Sequence, residues 1–177
     1  DALPISRNLI NRKDNIFERI DDLKQSKKVD KDDLFELFHD LGELARSFKV
    51  ERSHDSVLFY LKKRCELDGL NTDFAYEVAK YYKDYAKDLD EALEWYDKCV
   101  ELQKSVMSGD HPALARSYND IGSIYFEKGD YDEALKWYDK AFNIYDKVLD
   151  PQHIDFMSLH TDMGEAFFAK GNYDKAL

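Results

Sequence analysis

Two cysteines in 177 residues, Cys65 and Cys99, lie far apart and outside any CxxC spacing, so neither a disulfide framework nor a zinc knuckle is expected. That usage suits a reducing, cytoplasmic setting. Three prolines and seven glycines are too few turn residues for many short strands or for a linker-rich chain. No apolar run approaches the ~18 residues that a membrane span needs, and residues 1–14 carry no charged stretch followed by an apolar one, so neither a span nor a signal peptide is expected. Basic residues are outnumbered, with 26 Lys+Arg against 37 Asp+Glu and a net charge of −11. Nucleic-acid binding draws on clustered Lys and Arg, so that function is disfavoured. What is present is 44% apolar and 14% aromatic residues, enough for the core of one helical domain.

The chain repeats itself at a period of 42 residues. Residues 87–111 laid on 129–153 agree at 11 of 25 positions, among them Asp90/Asp132, Ala92/Ala134, Trp95/Trp137, Tyr96/Tyr138 and His111/His153. Residues 109–135 laid on 151–177 agree at 10 of 27, including Gly122/Gly164, Phe126/Phe168, Gly129/Gly171 and Tyr131/Tyr173. A weaker copy precedes these at an offset of 35, where Asp55, Leu58 and Lys63 fall on Asp90, Leu93 and Lys98. Three units and the start of a fourth are therefore expected.

Within the clearest unit, Leu114, Tyr118, Ile121, Gly122, Tyr125 and Phe126 recur at helical spacing until Lys128-Gly129-Asp130 interrupts them. A second helix follows, with Ala134, Leu135, Tyr138, Ala141, Phe142, Tyr145 and Val148 as its expected buried face and Asp130 or Asp132 as its cap. Gly129 stands at the reversal, where a left-handed conformation suits Gly. The unit is a helix hairpin. Gly122 and Ala134 are expected to let its two backbones approach, with Tyr118, Tyr125 and Tyr138 filling the space between neighbouring hairpins. A hairpin cannot cover both of its apolar faces, so such units stack.

The order Tyr118, Ile121-Gly122, Tyr125, Gly129, Ala134, Tyr138, Ala141 resembles the tetratricopeptide repeat. The fourth copy supplies His160, Met163-Gly164, Phe167, Gly171 and Ala176. The second supplies Ala75, Val78-Ala79, Tyr82, Ala92, Tyr96 and Cys99, with one extra residue expected in the turn around residues 86–89; the first departs at Arg64 and lacks a turn Gly. The 42-residue period and the linkers Gly109-Asp110-His111-Pro112 and Asp150-Pro151-Gln152-His153 look like the kinesin light chain subclass. The resemblance implies an all-α, right-handed solenoid of antiparallel hairpins at about 31–68, 72–108, 112–149 and 154–177, the last truncated. Ahead of it, residues 1–30 hold an amphipathic stretch, Ile5, Leu9, Ile16, Ile20 and Leu23, expected to cap the stack, with Val29-Asp30 as staple and N-cap of the next helix. A stop at Leu177, one turn into a helix, suggests a piece of a longer chain or larger complex.

No residue pattern here announces catalysis. GxSxG, a Gly-rich phosphate loop and HExxH are absent. His111 and His153 sit one repeat apart just before helix starts and read as caps rather than metal ligands, while His39, His54 and His160 lack a partner at ligand spacing. Asp30, Asp32 and Asp33 lack the Gly and Glu of a calcium loop. The cysteines read as small packing residues. No enzyme, no metal and no cofactor are expected.

In the resembled family, the first helix of each hairpin lines a concave groove that holds peptides. The corresponding positions give Arg46 and Lys49 in the first hairpin, Lys80 and Lys83 in the second, Arg116, Asn119, Ser123 and Phe126 in the third, and Thr161 and Glu165 in the fourth. Asn119 matches an Asn that light-chain-like repeats use on a peptide backbone, and an amide can both donate to and accept from a peptide unit. Phe126 and Phe168 either offer apolar pockets or are covered by the next hairpin. Glu77 and Asp120, at places where chaperone-binding members carry a carboxylate clamp, would repel a C-terminal carboxylate. Bases early and acids late in the groove suit a ligand with an acidic end and a basic or apolar one. The resemblance thus implies a protein or peptide partner and an adaptor or scaffold role, with a sensor or autoinhibitory arm of a larger effector, or a structural subunit of an assembly, as alternatives.

Overall fold

The computed structural model describes residues 15–16, 18–20, 22, 36–37, 39–44, 46 and 54–171. Two compact units divide the chain, Asp1–Gly69 and Leu70–Leu177. The expected residues Lys49, Val29-Asp30 and Tyr173 to Leu177, and most of the capping stretch, lie outside the described residues.

In the first unit the described residues between 15 and 46 are helical, and α1 follows at His54–Leu67. Ile16, Ile20, Leu37, Leu41, Leu44, Val57 and Tyr60 are buried. Arg19 donates to Asp40 across 2.9 Å, tying the first two helical stretches together. Arg64, the residue at which the first repeat departs from the pattern, lays its guanidinium 3.6 Å from where a Cβ on Gly42 would stand. The missing side chain at Gly42 makes room for that large one.

The second unit runs α2 (Thr72–Tyr81), a π-helical turn (Tyr82–Ala86), α3 (Leu89–Val106), α4 (Pro112–Glu127), α5 (Tyr131–Val148) and α6 (Ile154–Ala169). Among the described residues there is no strand. Each start is capped by a side chain that accepts from free N–H groups: Asn71 from Asp73 and Phe74, Asp88 from Glu91, Asp130 from Glu133. The paired histidines do the same, His111 Nδ1 accepting from Ala113 N–H at 3.1 Å and His153 Nδ1 from Asp155 N–H at 3.2 Å. Pro112 suits the first turn of α4, whose N–H would be unpaired in any case.

Helices pack as α2 on α3 and α4 on α5, with α3 against α4 and α5 against α6. The core contains Val78, Ala92, Tyr96, Cys99, Ile121, Ile124, Tyr138 and Leu159. Cys99 is a packing residue, its thiol 3.4 Å from the Thr72 carbonyl. Gly129 takes φ +81° at the reversal between α4 and α5, as its position requires.

Three expectations are corrected or extended. Val148, the last residue of α5, is exposed, and Ile144, one turn further inside the helix, is buried in its place. The Tyr138 ring also packs inside its own hairpin, against the bare backbone of Gly122, while its hydroxyl stays close enough to Asp162 and Glu165 of the next hairpin to feel their charge. The extra residue of the second unit falls earlier than 86–89, in the wider π turn at Tyr82–Ala86. Lys87, the counterpart of Gly129, then takes the left-handed conformation with φ 57°, which disfavours a residue with a Cβ by about 1–2 kcal/mol.

Candidate functional site

The expected groove positions fall on the first helix of each hairpin: Lys80 on α2, Lys83 on the π turn, Arg116, Asn119, Ser123 and Phe126 on α4, Thr161 and Glu165 on α6. Arg46 belongs to the first unit, where it pairs with Glu43 one turn away. The polar members of this surface are largely engaged with each other.

The Tyr76 hydroxyl donates to Asp120 at 2.6 Å, and Lys83 joins the same carboxylate at 3.1 Å. One repeat on, the Asn119 amide donates to Asp162 at 3.0 Å, and Arg116 pairs with Asp155 at 3.1 Å. Tyr76 and Asn119 hold the same place in their repeats, as do Asp120 and Asp162. One contact is therefore made twice: a donor on one first helix meets the acid of the next. A second rung recurs at the hairpin tips, where Lys128 bonds Asp90 and Lys170 bonds Asp132. These two pairs are 42 residues apart.

Burial decides how much each rung matters. Lys83 and Asp120 keep only 11% and 15% of their side-chain surface, so this pair is nearly dry, whereas Arg116 is 53% exposed and its pair with Asp155 counts for little. Burial, with the Asp120 charge second, holds the Tyr76 phenol protonated far above its ordinary range. Tyr96, fully buried beside it, is raised by the same two causes. Tyr145 is pushed up to about 12 by burial, then by Asp155, with Arg116 opposing. Lys80 pairs with Asp84 at 2.8 Å on its own turn.

Asn119 spends its N–H on Asp162, and its Oδ1 is buried without a hydrogen bond. Presentation of this amide to a peptide would require it to leave Asp162. Phe126 lies against Tyr131 of its own hairpin, ring centres 5.4 Å apart, and Phe168 is 63% exposed. Ser123 is half-buried, and Thr161 returns its hydroxyl to the Met157 carbonyl. Sequence reasoning read Asp120 as a charge facing the ligand and missed the ladder. The signal available was an acid recurring at one position, at Glu77, Asp120 and Asp162.

Asp162 is held above the ordinary aspartate range, chiefly by burial and further by Glu165, with the Asn119 bond opposing. A raised carboxyl contributes stability below its unfolded value, near 4, that is lost as pH rises through the folded value. Asp162→Asn should therefore lose the acid-side gain: melting curves from pH 3 to 7 should show the wild type gaining on the variant as pH falls through that window. Equal pH profiles would refute this assignment.

Among the described residues no group of three or more His, Cys, Asp or Glu is arranged to hold a metal ion. No helix among them is long and apolar enough to cross a membrane.

The tetratricopeptide-repeat pattern matches residues 75–147 and 118–177, together more than half of the chain. The chain belongs to the tetratricopeptide-repeat family. Solved structures agree on the fold. BtubC (BKLC) from P. vanneervenii superposes with a TM-score of 0.72 at 18% identity, over 97% of this chain and 68% of that one. A protein of nearly identical, kinesin light chain-like TPR repeats from Podosopora anserina gives 0.67 at 17% identity, over 97% and 82%. MamA gives 0.59 at 19%, over 99% and 88%. No curated protein sequence matches the chain significantly. Tetratricopeptide repeats generally serve as protein–protein interaction scaffolds and are typically not enzymes, and this chain has their all-α repeat architecture.

Proposed function

We propose that the surface shared by α2, α4 and α6 is a groove that holds an extended peptide or a partner helix, and that the chain works as a cytoplasmic adaptor. The observation that carries this reading is the repeated rung Tyr76–Asp120 and Asn119–Asp162. It fixes successive first helices side by side, so that Lys80, Ser123 and Glu165, which hold the same position in three successive repeats, line up along the surface, with Phe126 and Thr161 beside them. A preorganised surface of this kind lowers the entropy lost on binding. Affinity comes from a few anchors and specificity from charge.

Arg116 and Asn119 hold neighbouring helices, so altering them would disturb the stack as well as a ligand. Lys80→Glu and Ser123→Glu test the groove with less disturbance. Peptides selected from a random display library on the wild-type chain should bind the double variant about tenfold or more weakly, with an unchanged helical melting curve. Selected peptides that bind both proteins equally would overturn the groove reading.

A further inference from the structure

We propose that the α4–α6 step of the groove holds one lysine or arginine side chain of the bound peptide, seated on Asp162 and Glu165 in the role that Lys83 plays one repeat earlier. The two rungs of the ladder carry the argument. At the first, Tyr76 donates to Asp120 and Lys83 brings a cation to the same carboxylate at 3.1 Å. At the second, Asn119 takes the place of Tyr76 and donates to Asp162, but the place of Lys83 is held by Phe126. Asp162 keeps its hydrogen bond and has no cation of its own. Lys83 is committed to Asp120, Arg116 to Asp155, and residues 154–169 contain no Lys or Arg. Among the described residues neither Asp162 nor Glu165 enters an ion pair.

Acids alone can be solvated by water, but Tyr138 points to a ligand. Its side chain is 2% exposed, yet its hydroxyl makes no hydrogen bond to any described residue. Buried polar groups in native proteins are nearly all hydrogen-bonded, so this one calls for a partner from outside. It is aimed at the acids: after burial itself, Asp162 and Glu165 do most to keep the phenol protonated, followed by Asp120 and Glu127. The Oδ1 of Asn119, on the amide that holds Asp162, is likewise buried without a partner. Burial and the Glu165 charge raise the Asp162 carboxyl, and the Lys83 charge opposes them without cancelling them. An ammonium or guanidinium carries several N–H donors and no acceptor. It can meet the carboxylates of Asp162 and Glu165, one turn apart on α6, and a lone pair of the phenol, through charge-assisted bonds. Phe126, half-buried, offers its ring to the aliphatic stem. The position of Glu165 is open elsewhere too, since Lys80 holds it on α2 and is half exposed with α4 bonded alongside. An acidic side chain of a ligand has no equivalent seat, because Lys80, Lys83 and Arg116 each face a carboxylate within 3.1 Å already. The cation arrives on the peptide of the groove proposed above, so the inference rests on that reading for its ligand.

The test uses the full chain and peptides selected on it from a random display library, each synthesised with its basic residue and as a twin with norleucine there. The peptides should carry a lysine or arginine, and the norleucine twins should bind about tenfold or more weakly by fluorescence anisotropy. Asp162→Asn/Glu165→Gln should cut that preference to about twofold or less. Phe126→Lys should do the same by filling the seat from within, as Lys83 does at Asp120, with circular dichroism showing both folds retained. Asp139→Asn/Asp146→Asn removes as much charge from the exposed face of α5 and should leave the preference intact. Selected peptides without a basic residue, twins that bind equally, or a preference that survives Asp162→Asn/Glu165→Gln would overturn the proposal. So would a preference lost equally in the α5 variant, which would assign it to net charge. Peptides weakened by Lys80→Glu/Ser123→Glu but indifferent to norleucine would keep the groove and sink the cation seat. Peptides untouched by those groove variants that still need Asp162 and Glu165 would do the reverse.

Discussion

Asp120→Ala should destabilise the second unit by about 3–4 kcal/mol, more than removal of any other groove side chain. Its carboxylate serves two partners from the preceding repeat, Lys83 at 3.1 Å and the Tyr76 hydroxyl at 2.6 Å. Removing one member of a nearly buried ion pair leaves an uncompensated charge, which typically costs about 3–5 kcal/mol. Here the lower end applies, because the Lys83 stem can swing its ammonium toward water. The phenol of Tyr76 loses its acceptor as well, worth about 1 kcal/mol. Lys83→Met should cost less than Asp120→Ala, since Asp120 keeps Tyr76. Lys83→Met/Asp120→Leu should recover much of the loss, because neither charge remains buried alone. Urea denaturation followed by circular dichroism measures all three. A loss below about 1 kcal/mol in Asp120→Ala would mean that the rung is solvated and contributes little. If the rung is what couples α2 and α3 to α4 and α5, the variant should also broaden or split the transition, as repeat arrays do when an interface weakens.

The hairpins were legible because their signals are local. Apolar spacing marked the helices, His111, Asp130 and His153 marked their starts, and the 42-residue period marked the stacking, each through backbone requirements that depend on a few neighbouring residues. The ladder was not legible, because it depends on which side chains of different hairpins end up within 3 Å. Asp120 and Asp162 look like surface acids in a sequence with 37 of them, and only the fold puts Tyr76 and Asn119 against them. The same holds for the bases. Read one by one, Lys83 and Arg116 suggest a surface prepared for an acidic ligand, yet Asp120 and Asp155 already answer them. The π turn was half legible: an extra residue showed in the alignment of repeats, but its place depended on how Tyr82 and Lys83 pack and pair, not on turn propensity.

Gly122→Ala should be destabilising by about 1–2 kcal/mol, although alanine improves the intrinsic propensity of a helix interior by about 1 kcal/mol. A Cβ at this position would stand 2.6 Å from two ring carbons of Tyr138 and 3.2 Å from the Ala134 carbonyl oxygen. The first contact is impossible without movement. The second involves the backbone of α5, so the helix as well as the ring must shift. Tyr138 is 2% exposed and has little free volume to move into, and forcing extra carbon into a packed core costs about 1–3 kcal/mol, occasionally more. The helix-propensity gain offsets only part of this. Gly122→Leu, which adds three more carbons, should fall well beyond it and leave the α4–α5 hairpin poorly formed. Tyr138→Leu separates the two contacts. If the ring is the main obstacle, Gly122→Ala should cost markedly less in the Tyr138→Leu background than in the wild type; if the Ala134 carbonyl is, the cost should be the same in both. Thermal melts of the four proteins in the cycle decide between them. A stabilising Gly122→Ala would show that the hairpin opens without strain, and that the Gly shared with position 164 reflects something other than the close crossing of α4 and α5.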